Sequence, residues 1–169
     1  QPSKNTLLDR SITALILKVS IPPSANISKL YGIIMLSITS RSQNKSAKEA
    51  IIRNILINLK SVQHQPTLFN LLVYLRTQKN KVRINLKDIQ EGGIFVFLME
   101  GYQRYIEQYQ SYYILDYLHH LLGLFPSVAH TITTAFIAFL INNLRLGNMH
   151  HPMHETTILA FIQKGLKYV

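Results

Sequence analysis

"SAKEAIIRNILINLK", residues 46–60, sets Ile51, Ile55 and Leu59 four positions apart. A step of four returns to one face of an α-helix, whereas a half-buried strand would alternate at every second position. Lys48, Arg53 and Lys60 fall off that stripe. The stretch therefore reads as an amphipathic helix, its apolar face for a core and its cations turned away from it.

The helical period extends in both directions. Upstream, "TLLDRSITALILKV" (6–19) aligns Leu8, Ile12, Leu15 and Val19 at i, i+4, i+7 and i+11. "IPPSANIS" (21–28) breaks the chain, because Pro22 and Pro23 cannot continue a helix. Asn26 or Ser28 is the expected cap of the next helix, "KLYGIIMLSI" (29–38). Downstream, "VQHQP" (62–66) ends the 46–60 helix, and Pro66 suits the first turn of "TLFNLLVYLRT" (67–77). "KVRINLK" (81–87) alternates polar with apolar and reads as a strand or an extended connector. Asn85 with Asp88 resembles a capping pair, so a helix is expected from Leu86 through "GIFVFLMEGY" (93–102). "IEQYQSYYILDYLHHLLGL" (106–124), "PSVAHTITTAFIAFLINNLRL" (126–146) and "HETTILAFIQKGLKY" (154–168) complete the series, joined by short turns.

The series echoes itself. "GIIMLSITS" begins at Gly32, "GIFVFLMEG" at Gly93 and "TILAFIQKG" at Thr157, steps of 61 and 64 residues. Each of the first two is followed by an amphipathic helix, a proline (Pro66, Pro126) and a further apolar helix. The expected fold is all-α: a stack of about eight antiparallel helices, an α-solenoid of helical-hairpin repeats. It forms one domain over residues 1–169, or a fragment of a longer one, since a chain opening at Gln1 reads as a processed product or an excised piece.

Composition narrows the function. A hydrophobic content of 47% in 169 residues is enough for a packed core and excludes a wholly disordered chain. Cysteine is absent, which removes disulfide scaffolds, thiolate metal sites and thiol nucleophiles and fits a reducing compartment. The net charge of +10 is lopsided: residues 1–87 hold fourteen Lys and Arg against Asp9 and Glu49, residues 88–169 four against six acids. A basic half (1–87) beside a neutral half (88–169) suggests one face that attracts phosphate or anionic lipid.

Signals for chemistry are sparse. There is no G-x-S-x-G, no G-x-x-x-x-G-K-[ST] and no G-x-G-x-x-G, and the eight acids form no evident acid/base pair, so no enzyme and no cofactor are expected. His150, His151 and His154 cluster in "NMHHPMHE", but Pro152 breaks the helical register that would bring imidazoles together on a metal. No metal is expected there. Tyr102, Tyr105, Tyr109 and Tyr112 recur at i, i+3, i+7 and i+10. On one helix they would form a stripe, read as a helix–helix seam or a protein interface because it lies in the neutral half. Val128 to Leu144 has no formal charge, yet polar residues dilute it and its seventeen residues are short for a span. Membrane spanning is not expected.

The basic half remains. "RTQKNKVRINLK" (76–87) holds five cations and no acid. With the 46–60 helix it supplies the candidate contacts to RNA phosphates: Lys45, Lys48, Arg53, Lys60, Arg76, Lys79, Lys81 and Arg83.

With its helix pairs and the segment "QPTLFNLLVYL" (65–75), the chain resembles the pentatricopeptide-repeat proteins. Tyr31 followed by Ala47 in "SAKEA", and Pro66 before "TLFNLL", are similar to that family's unit; "SYYILDYLHHLLGLFPS" followed by "HTITTAFIAFL" looks like a second copy. The likeness spans residues 28–146. The family's base-reading positions do not carry over, since Tyr31 to Pro66 exceeds its unit length. The resemblance implies single-stranded RNA binding in mitochondria or plastids without a cofactor. The resulting expectation is a non-catalytic RNA-binding helical-repeat protein in the mitochondrial matrix, acting in organellar gene expression or a ribosomal assembly with other protein subunits. The alternative is a helical structural subunit of a large, membrane-associated complex that touches no nucleic acid.

Overall fold

The computed structural model describes residues 24–41, 45–147, 149 and 151–167. The amphipathic run 6–19 and His150 lie outside the described residues. Among those described the chain is all-α, with eight α-helices, two 3-10 turns and no strand. It divides into two compact units, Gln1–Ile94 and Phe95–Val169.

In the first unit α1 (Ala25–Arg41) packs against α2 (Lys45–Asn58) and α3 (Gln65–Thr77), and α2 packs against α4 (Leu86–Glu91). The stripe of α2 lies in the core: Ile51, Ile55 and Leu59 are wholly buried, the last in a 3-10 turn, Leu59–Ser61, that closes α2. Pro66 occupies the first turn of α3, where its missing amide costs nothing.

α1 starts earlier than expected. The Ser24 carbonyl already accepts from the Ser28 amide at 2.9 Å, so neither Asn26 nor Ser28 is its cap. Buried Ser28 instead accepts the His64 amide on its Oγ at 3.0 Å, tying α1 to the entry of α3, where His64 Nδ1 bonds Thr67 Oγ1 at 2.8 Å. The two helices approach so closely here that a side chain at Gly32 would collide with the Thr67 methyl. Between α1 and α2, the Tyr31 hydroxyl donates to Asn54 Oδ1, and Asn58 Nδ2 donates to the Asn54 carbonyl and side chain at 3.0 Å each. Buried amides survive because they satisfy one another.

The helix expected from Leu86 through Tyr102 is two. Gly93, at φ +58°, takes a left-handed conformation that ends α4, and α5 (Ile94–Arg104) begins on the next residue. Asn85 has the extended backbone of a cap but its side chain makes no capping bond, so the Asn85–Asp88 pair is not a capping pair.

In the second unit α5 ends at Arg104, and turns through 105–110 lead to α6 (Ser111–Leu124). The helix expected from 106 therefore starts five residues late. A 3-10 turn (Pro126–Thr131) precedes α7 (Thr134–Leu146), whose cap Thr133 accepts from the Phe136 amide at 3.1 Å. α8 (His154–Leu166) packs on both α6 and α7, and Phe136 meets Phe161 edge-on at 5.8 Å in the core. The break before Thr133 also divides the uncharged run Val128–Leu144. Among the described residues no helix is long and apolar enough to cross a membrane.

Candidate nucleic-acid interface

Counted by unit, the first holds fourteen Lys and Arg against Asp9, Glu49, Asp88 and Glu91, a balance of +10; the second holds four of each sign and is formally neutral. The whole net charge therefore falls to one compact unit.

Helix α2 carries the first group of cations. Its buried side leaves Lys45, Arg53 and Lys60 exposed and Lys48 half-buried, with half-buried Glu49 one turn from Lys45 and from Arg53. Arg53 is engaged: its Nε donates to Asp88 Oδ1 at 3.1 Å, the arginine half exposed and the carboxylate enclosed. The bond satisfies a buried charge that would otherwise be costly, and it leaves the other guanidinium donors of Arg53 for a second acceptor. Among the eight predicted phosphate contacts, Arg53 thus has a structural task as well.

The second group sits on α3 and the connector behind it. Arg76 lies half-buried in the last turn of α3, where a cation complements the helix dipole, and Lys79 is half-buried in the following turn. Residues 78–82 turn, with the Lys81 and Val82 amides donating to the Gln78 carbonyl. Val82 is buried while Lys81 and Arg83 on either side are exposed, so the alternation read in the sequence is realised as an anchored connector and not as a strand. The connector leads into α4, which packs on α2. Asp88 meets Arg53, and Gly92 lies against the Leu56 carbonyl, so α4 follows α2 in the same direction. Lys45 and Lys48 occupy the first turn of α2. Lys60 stands at the opposite end of α2. Lys87 is paired with Glu91 one turn on, at 3.7 Å.

The four tyrosines do not form a stripe. They sit on α5, on the turns that follow and on α6. Tyr102 is wholly buried, its hydroxyl bonded to His154 Nε2 at 2.6 Å and accepting from Asn143 Nδ2 at 3.2 Å, its ring edge-on to Phe136 and Phe139. Tyr112 is buried with its ring stacked on His151 at 3.8 Å. Tyr105 is half-buried beside Arg104, and Tyr109 is exposed. Two of the four therefore belong to the core of their own unit.

Of the histidines of "NMHHPMHE", His151 and His154 make contacts within their own unit. His151 Nδ1 accepts from the Met153 amide at 3.0 Å, and His154 holds Tyr102. Among the described residues no three metal-binding side chains converge. Asp88 is the residue that sequence reasoning missed: it lies thirty-five positions from Arg53, and no local pattern announces so distant a partner. Compared with protein-family models, curated proteins and solved structures, the chain has no significant match.

Proposed function

We propose that the chain is a non-catalytic RNA-binding helical-repeat protein whose basic first unit holds phosphates and whose neutral second unit meets other protein subunits. The observation that carries this reading is the confinement of the whole net charge to one unit, in which Lys45, Lys81 and Arg83 are exposed and Lys48 is half-buried. Cations so placed attract a phosphodiester backbone by Coulomb force and counterion release, without reading bases. Stacking of alternate helices, α1 on α3, α2 on α4 and α6 on α8, supports the helical-hairpin part of the reading. Exposed Ile141, Leu146, Leu159 and Leu166 give the second unit apolar surface for protein partners. The setting in this proposal is organellar gene expression, in a ribosomal or other ribonucleoprotein assembly of the mitochondrial matrix.

The test is a titration of single-stranded RNA of several sequences over a range of salt. Affinity should fall as salt rises, by about 0.7 in logarithmic slope for each phosphate contact. Lys81→Glu with Arg83→Glu should weaken binding to every sequence alike and flatten that slope. An affinity insensitive to salt or to these charges would favour the second reading, a structural helical subunit of a larger complex. The apolar surfaces of α7 and α8 are what that reading rests on.

A further inference from the structure

The bond between Arg53 on α2 and Asp88 on α4 joins side chains of unlike exposure. That of the arginine is 48% exposed and that of the carboxylate 5%. One nitrogen of the guanidinium is engaged, Nε, which donates to Asp88 Oδ1 at 3.1 Å. The two terminal nitrogens of Arg53 have no partner among the described residues, and Glu49, one turn earlier on α2, forms no ion pair with it there.

A guanidinium is planar, so holding Nε also fixes the edge formed by the two terminal nitrogens. That edge offers parallel N–H donors at the spacing of two phosphate oxygens. An unpinned arginine gives up rotamer freedom when a ligand arrives, whereas one held by a buried carboxylate has already given it up on folding.

We infer that Asp88 is a positioning residue for phosphate: it holds Arg53 as a clamp whose terminal edge takes two oxygens of one backbone phosphate. This rests on the phosphate-binding reading above, and it carries a sign that charge counting does not. Removing an acid from a basic surface should strengthen its hold on a polyanion. Removing the oxygen that pins Arg53 should weaken it.

The full chain is titrated with a short oligouridylate, and each variant is checked for folding by circular dichroism. Asp88→Ala should weaken binding about threefold or more although it raises the net charge. Asp88→Asn keeps an oxygen for Nε and should bind within about twofold of the natural chain. Arg53→Lys keeps the charge, loses the edge and should weaken binding about threefold or more. On the natural chain, nitrogen-15 spectra should show the Arg53 Nη signals moving as oligouridylate is added, which a purely structural bond would not produce. This readout needs no variant and decides the matter if Asp88→Ala does not fold. Nη signals that stay put, or Asp88→Ala binding as tightly as the natural chain, overturn the inference and leave the phosphate reading standing. Natural-chain binding that ignores salt and Lys81→Glu with Arg83→Glu overturns that reading, and the inference with it.

Discussion

Tyr102 and Tyr117 are both wholly enclosed in the second unit, and their hydroxyls meet opposite fates. That of Tyr102 is held by His154 and Asn143; that of Tyr117 has no hydrogen-bond partner among the described residues. An unsatisfied buried hydroxyl is a cost, while a satisfied one strands its partners when removed. Tyr102→Phe should therefore lower stability by about 1–3 kcal/mol, and Tyr117→Phe should leave it unchanged or raise it by up to about 1 kcal/mol. Urea unfolding midpoints at constant slope separate the two, and equal losses would contradict the assignment. At this scale the sequence was partly legible. That Lys81 and Arg83 face outward followed from the alternation around Val82. That Tyr102 and Tyr112 serve a core and Tyr109 does not was hidden, because the chain turns through 105–110 without a Gly or Pro to mark it. The Arg53–Asp88 bond was hidden for a different reason: it depends on packing between helices and not on any spacing.

Helices α1 and α3 meet at Gly32 and Thr67, and the contact leaves no room for a β-carbon. Gly32→Ala should cost about 1–3 kcal/mol, although alanine is the better helix former. Most of that loss should return with Thr67→Ser, which deletes the colliding methyl and keeps the hydroxyl that bonds His64. Thermal unfolding of both single variants and the double variant measures the coupling; simple additivity would show that the contact is looser than described. Element by element, the helical period at 46–60, 67–77 and 154–168 located α2, α3 and α8 to within a turn. Boundaries failed where a tertiary demand overrode the local signal or where that signal was passed over. At Gly92–Gly93 it was a turn signal: Gly93 stands at the head of the apolar run, and its left-handed backbone ends α4. Ser28 had the chemistry of a cap and was drawn instead to His64.

For the whole chain, three buried tyrosines, Tyr31, Tyr102 and Tyr117, and half-buried Tyr74 set its response to base. Burial pushes Tyr31, Tyr74, Tyr102 and Tyr117 above the ordinary tyrosine range, the bonds from Asn58 and Asn143 only partly offsetting this at Tyr31 and Tyr102. Below about pH 10 these phenols are protonated in both folded and unfolded chains, and their contribution to stability is complete. Above it the unfolded chain releases protons that the folded chain retains, so stability falls as pH rises. Tyrosinate absorbance from these residues should thus appear together with the loss of helical circular dichroism; ionisation with helicity intact would contradict their burial. The charge division was legible from the sequence, and the unit boundary at Ile94 falls only seven residues beyond it. A last consequence lies in α4. Its six residues are too few to hold a helix alone, so its shape is lent by α2 through Asp88 and the close approach at Gly92. The connector bearing Lys81 and Arg83 ends on that borrowed turn. On warming, α4 should therefore fray before the core around Ile51 and Ile55 lets go.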